Sequence, residues 1–243
     1  MSTPEFILDE SVNEPGGDVW FAVPAGFTSI PIGALLNPPD SPGADELRTA
    51  IDPILDAAPT DVARQLFLTQ IAFSQQLLAA LVEVGTTHCS IGLHRDDVSD
   101  SKSDESIATH LFSLFTLSWR DIATAAPAVT AARAVAGAEG HTDIEYLELP
   151  CGPASFSELV RAPNAESGLP QEPILQIFAH LPHPDGKRLV VLTLGTTAVS
   201  RRAEYRSLLH QIAENVSFEN PLLEAEAINR AADKATAGPD RSG

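Results

Sequence analysis

Cysteine is nearly absent from this chain. Cys89 and Cys151 are the only two in 243 residues, and their spacing matches no metal-ligand pattern. In a reducing compartment they read as free thiols, so no disulfide framework is expected. Aromatic side chains are also scarce, at 6%. Positive charge is short: 15 Lys and Arg stand against 33 Asp and Glu, a net charge of −18. A field of that sign repels a phosphate backbone and an anionic membrane surface, so nucleic acid is disfavoured as a partner; a cationic protein partner gains from it, but solubility alone is the simpler reason for the acidity. Long apolar runs are missing as well. The start, MSTPEFILDESVNEPGGD, lacks the basic and apolar regions of a signal peptide. The most apolar helical stretch, Ala63 to Val84, holds Arg64, Gln65, Gln70, Gln75, Gln76 and Glu83, which is too polar for a membrane span. The expected setting is the cytoplasm, without membrane insertion.

What remains is globular in texture. Hydrophobic residues make up 44% and charged residues 20%, and a chain of this length buries roughly 70–75% of its unfolded surface. Residues 1–18 read as a flexible acidic arm, 19–218 as a single domain, and 219–243 as a weakly helical to disordered tail. Trp20 to Ile32 is an extended opening segment broken at Pro24 and Gly26. A Pro-rich loop from Asn37 to Gly43 leads into helical turns over Leu47 to Ala58. Thr60 caps a long helix whose apolar stripe is Val62, Leu66, Phe67, Ile71, Leu77, Leu78, Leu81 and Val82, stopped by Gly85.

The remainder alternates between strands and helices. Thr87 to His94 puts Cys89, Ile91 and Leu93 on one face and His88, Ser90, Gly92 and His94 on the other, read as facing solvent. The acidic, Ser-rich connection from Asp96 to Glu105 is expected to be a flexible hairpin tip. Ile107 to Trp119 is apolar on both faces, hence a central strand. Asp121 to Ala138 is Ala-rich and helical, starting properly at Pro127 and ending at Gly137 or Gly140. Strands are expected at Thr142–Leu149, Ser155–Arg161, Ile174–Leu181 and Arg188–Thr196, the last two joined through Asp185-Gly186. Ser200 then caps a helix with Tyr205, Leu208, Leu209, Ile212 and Val216 on its core face. Hairpin-linked strands with segregated helices predict an α+β fold, a twisted and mostly antiparallel sheet flanked by helices, with a long helical insertion after the first strand.

No motif for chemistry emerges. Cys151, in Pro-Cys-Gly-Pro, lacks the second Cys of a redox pair, since Ala154 stands there, and reads as part of a rigid turn. His88 and His94 share a strand face that Cys89 does not, which defeats a metal site. His180 and His183 flank a Pro-stiffened hairpin. Ser90 has no nucleophile elbow, and the Gly195 segment lacks the spacing and Lys of a phosphate loop. The paired carboxylates read as a solvated acidic surface. No catalytic residue, cofactor or metal is expected.

Arg201 and Arg202 sit in the first turn of the last helix, where the helix dipole disfavours cations. A local rule broken this way can mark a binding surface. The alternative is that both point into solvent beside Glu204.

The element order resembles a known scaffold. WFAVPAGF at Trp20 to Phe27, a long helical stretch, the closing strand RLVVLTLGTT from Arg188, a Tyr-containing helix and the VSF exit at Val216 to Phe218 resemble the PsbP/DcrB-like α/β superfamily. The segment EYLELPCGPA, Glu145 to Ala154, is similar to one in uncharacterised actinobacterial proteins, and 3 Lys against 12 Arg suits such a source. The resemblance spans residues 19–218 and implies a twisted antiparallel sheet that binds other proteins, with no catalytic residues to carry over.

The function expected from these readings is a non-catalytic protein-binding module, adaptor or chaperone-like, for example for a secretion-system client. The candidate partner contacts are Arg201, Arg202, Leu222, Leu223 and Ile228, and the expected state is a monomer or homodimer. The alternatives are a small-ligand protein or enzyme using Cys151 or a His, and a structural or regulatory subunit of a homo-oligomer.

Overall fold

The computed structural model of the chain describes residues 6–8, 18–30, 49, 52, 55–56, 60–62, 64–65, 85–95, 110–162 and 172–220. Most of the long helix after Thr60, the Asp96 to Glu105 connection and the tail with Leu222, Leu223 and Ile228 fall outside these residues.

Nine strands and two α-helices are described. Strands β1 (Phe6–Leu8) and β2 (Ala22–Pro24) form a small antiparallel pair. The main sheet contains β3 (Phe27–Ser29), β4 (Thr86–Arg95), β5 (His110–Asp121), β6 (Thr142–Leu149), β7 (Gly152–Arg161), β8 (Ile174–Pro182) and β9 (Arg188–Thr196), in the order β3-β4-β5-β9-β8-β7-β6. Every neighbouring pair is antiparallel. The α+β class and the antiparallel sheet expected from the sequence are therefore present. β1 falls within the segment read as an arm.

The middle strand is β9, and its composition explains the position. Leu189, Val190, Val191, Leu192 and Leu194 are all buried, so both sides of the pleat are covered. One sheet face carries Phe115, Leu117, Phe156, Ile177, Ala179, Leu192 and Leu194. Helix α2 (Arg202–Glu214) packs there through Tyr205, Leu209, Ile212 and Ala213. Each fully buried Leu, Ile or Phe of this layer contributes roughly 1.5–3 kcal/mol. Helix α1 (Pro127–Ala136) covers the opposite face at β7 and β8. Pro127 stands at its start and Gly137 closes it, as expected. Ser155 Oγ–H donates to the Ala131 carbonyl at 2.8 Å and ties helix to sheet.

Several local expectations fail, each for a physical reason. The polar side of β4 does not face solvent: Ser90 is fully buried, and His88 packs its ring 4.8 Å from Phe21 and 5.8 Å from Phe115. The alternation is real, but Phe21 from the opening segment packs on this side against His88 and Phe115. His180 stands in the strand expected for it and is buried there beside Phe178. Val62 is 70% exposed, so the stripe of its helix does not begin there; the described residues of that first turn all face water. Ser200 does not cap α2. It sits inside a 3-10 turn, Val199–Arg201, and Arg201 takes the cap position without a side-chain hydrogen bond.

Two glycines hold the sheet's connections in place. Gly85, at φ +87°, accepts the Trp119 N–H at 2.8 Å, and a Cβ there would stand 2.2 Å from the Trp119 carbonyl oxygen. Gly186, at φ +68°, completes the β8–β9 turn, where Asp185 Oδ1 accepts the Lys187 and Arg188 N–H groups at 2.8 and 3.2 Å. Those bonds, together with Arg188 and His183, hold the Asp185 carboxyl well below the usual carboxylate range. Arg188 also pairs with Asp18 and lies 4.9 Å over the Trp119 ring. Trp20 and Ser217 exchange two backbone hydrogen bonds of 2.8 Å, joining the opening segment to the exit from α2.

Candidate functional site

The most concentrated polar chemistry among the described residues lies where α2 begins beside β6 and β7. The sequence dictates half of it locally: Arg202, Arg206 and His210 recur every fourth residue, which stacks them on one side of the helix. The other half comes from the sheet. Glu158 falls in phase with Phe156 on the apolar face of β7, and Glu145 is its diagonal neighbour across the β6–β7 ladder.

A backbone irregularity completes the site. The β6–β7 register slips between Thr142 and Glu145, leaving one extra residue on β6. Asp143 in that bulge has φ +50°, the one described non-glycine residue in the left-handed region. Its carbonyl accepts from Arg206 Nη2 at 3.0 Å, and its carboxylate lies 3.5 Å from Arg202 Nη1. Asp tolerates this conformation better than most residues, and the two arginines hold it there.

Glu158 is the hub, at 1% exposure. Its Oε1 accepts from Arg206 Nη1 at 2.8 Å, and its Oε2 lies 3.2 Å from Arg202 Nε. Glu145 Oε2 accepts from Arg206 Nη2 at 3.0 Å and approaches His210 Nε2 at 3.6 Å. The His210 ring leans on Phe156 with centroids 3.9 Å apart. Burial alone would lower the Arg206 guanidinium, but its bonds to Glu158 and Glu145 outweigh that and lift it above its ordinary value. Burial lowers the His210 imidazole against the pull of Glu145. A buried carboxylate needs such partners, because an unpaired charge in an apolar face is strongly destabilising.

Arg202, Arg206, Glu158, Glu145 and Asp143 line an open groove of about 600 Å³. With His210 neutral the groove carries two positive and three negative groups. It therefore offers no preference for phosphate or carboxylate ligands. Its charges pair with one another, while Glu158 Oε2 and His210 Nε2 are buried without a hydrogen bond.

Beyond the groove, β6 closes the sheet. It runs for eight residues and pairs only with β7 among the described residues. Ile144 is 45% and Tyr146 56% exposed. Glu148 is exposed too.

Of the residues singled out from sequence, Arg202 enters the site, and it does so by pairing with Glu158 and Asp143 instead of pointing into solvent. Arg201 instead stands 3.6 Å from Glu204. Leu222, Leu223 and Ile228 lie outside the described residues. Glu158 lies outside the tails and the Asp96 to Glu105 loop, whose acids read as a solvated surface, and is both buried and paired. Sequence reasoning missed Glu158, Glu145, Asp143 and Arg206. One signal was available: a single glutamate in phase with the apolar residues of SFSELV.

Cys151 occupies the turn between β6 and β7. Burial raises its thiol and Glu148 raises it further, against a backbone hydrogen bond. Cys89, on distant β4, is pushed up to about 12 by burial. Neither environment favours a thiolate. His141 Nδ1 and Ser157 Oγ lie 2.8 Å apart, but Ser157 is fully buried and cannot meet a substrate. Among the described residues no three His, Cys, Asp or Glu side chains gather as metal ligands, and no helix is long and apolar enough to cross a membrane.

Fold and site together define an antiparallel α+β sheet protein with an internally paired polar groove beside a sheet edge that no other described strand covers. Compared with known proteins, the chain matches no family model, no curated protein and no solved structure.

Proposed function

We propose that this chain is a non-catalytic protein-binding module, an adaptor or chaperone-like protein, and that its partner docks where β6 closes the sheet. One observation carries the reading: a long edge strand that leaves Ile144 and Tyr146 about half exposed beside a groove whose charges are already satisfied. Apolar side chains at an open edge are a hazard unless covered or used. The resemblance to the PsbP/DcrB-like scaffold, whose members bind other proteins, points the same way. The net charge of −18 favours a cationic partner over self-association. An enzyme built on Cys151 gains no support, because its surroundings raise the thiol.

The test is a photo-crosslinking residue at position 146 in the full-length protein, with position 129 on exposed α1 as control. Discrete adducts to another polypeptide from 146 and none from 129 support the proposal. Absence of adducts from 146, or equal labelling from both positions, overturns it.

A further inference from the structure

Resting on that reading, we infer that the partner binds as an extended strand added to β6, and that this strand alternates apolar residues with Lys or Arg. The backbone geometry supplies the first part. Leu149 faces Gly152 across a two-residue turn, which makes them a hydrogen-bonded closing pair. Glu148 then faces Pro153, which has no N–H to give, as expected where pairs alternate between bonded and non-bonded. Glu145, Leu147 and Leu149 therefore direct their N–H and C=O groups toward β7. Ile144, Tyr146 and Glu148 direct theirs outward.

Natural edges are blunted by proline, lysine, bulges or short length. In β6 the bulge ends at Asp143, and Ile144 to Leu149 continues without proline, lysine or a further bulge, its charges Glu145 and Glu148 both negative. At the other end of the sheet β3 has only three residues. The longer edge strand of the two is the one beside the groove. Backbone groups on that line are satisfied by water in the free protein and by a guest strand in the complex.

Side chains supply the second part. A guest strand alternates between two surfaces. On one it meets Ile144, Tyr146 and Glu148; on the other, Glu145 and Leu147. β6 contains three acidic residues and no basic one. Apolar residues opposite Tyr146 and Ile144 complete the first surface, and the cations, one position out of phase, fall on the second beside Glu145, whose side chain is 42% exposed. A second copy of this chain brings the same acids and the same net charge, so it is the poorer occupant.

The probe is a synthetic octapeptide alternating Val with Arg, titrated into the full chain and followed by residue-resolved hydrogen exchange. In the free protein the Tyr146 and Glu148 amides exchange quickly. Bound peptide slows both by at least about tenfold, while Leu147, already paired to β7, changes little. An Arg-to-Glu version of the peptide binds at least about tenfold more weakly, given the charge reversal. N-methylation of alternate peptide amides, in whichever phase blocks pairing, abolishes binding. Tyr146→Pro removes an outward donor without touching the β7 ladder and abolishes binding too; the N-methylated peptides keep the test decisive if that variant folds poorly. Equal binding by both N-methylated phases, or unprotected Tyr146 and Glu148 amides, overturns strand addition. Such a result leaves the protein-binding reading standing if position 146 still crosslinks a polypeptide. A stable dimer in sedimentation, with the same amides protected and no peptide uptake, overturns the cationic guest in favour of a second copy.

Discussion

Replacing Arg202 and Arg206 together by alanine strands the Glu158 carboxylate on the apolar face of the sheet. Glu158 is 1% exposed and takes one partner on each oxygen, Arg206 at 2.8 Å and Arg202 at 3.2 Å. Removing one partner from a buried pair costs about 3–5 kcal/mol when nothing replaces it. Here each single substitution leaves the other arginine in place. Arg206→Ala should therefore cost only about 2 kcal/mol, and Arg202→Ala, whose side chain is 43% exposed and screened by water, about 1 kcal/mol. The double variant should lose about 4–5 kcal/mol, more than the two singles added, because only then is the charge wholly unpaired. Urea unfolding of all four proteins at neutral pH, with unchanged slopes, measures the cycle. Adding Glu158→Leu to the double variant should recover at least about 2 kcal/mol, since the position is then apolar among apolar neighbours. If the double variant unfolds within about 1 kcal/mol of the parent, or leucine rescues nothing, Glu158 is not the buried hub described.

His180 gives the pH dependence its sign. Burial pushes its imidazole down to about 4, Arg120 and His141 push the same way, and a hydrogen bond at Ser155 opposes them. The unfolded chain takes up this proton near the ordinary value of about 6.5 and the native chain only near 4, so the contribution is intact above about 6.5 and is lost as pH falls toward 4, up to about 3 kcal/mol. Unfolding midpoints across that window should fall for the parent and flatten for His180→Leu. Gly85→Ala should destabilise by at least about 2 kcal/mol, from the left-handed backbone and a Cβ 2.2 Å from the Trp119 carbonyl oxygen; a thermal midpoint unchanged from the parent would contradict that packing. Iodoacetamide at pH 7 should alkylate native Cys89 and Cys151 more slowly than free cysteine, because burial raises both thiols; mass spectrometry of timed aliquots reads this, and fast labelling of Cys151 would revive the enzyme alternative.

Much of the fold was legible because its signals are local. Alternation, Pro127 and Gly137 around one helix, and Asp185-Gly186 in one turn placed the later strands within a few residues. What failed depended on segments far apart in the chain. His88 read as solvent-facing because its cover, Phe21, lies 67 positions away in sequence. Ser200 met the chemical description of a cap, but the chain enters α2 through a tight 3-10 turn and Arg201 takes the junction. The candidate site was nearly invisible for the same reason. Glu158 gains its meaning from Arg202 and Arg206, more than forty residues onward, and from a bulge at Asp143 that no periodicity announces. Arg202, singled out by its misfit with the helix dipole, pairs with Asp143 and Glu158.

The place of β9 has a consequence for biosynthesis. It is the last of the described strands to be made, yet it wedges between β5 and β8, two sheet halves that share no other ladder among the described residues. On the ribosome, β4 with β5 and β6 with β7 and β8 can each form as hairpins, and each assembly waits with a naked flank until residue 196 emerges. Ser113 must then find Thr196, a non-local closure of the kind that slows folding and exposes intermediates to aggregation. A nascent chain halted before Arg188 holds every other strand of the sheet and lacks the keystone that makes them one body.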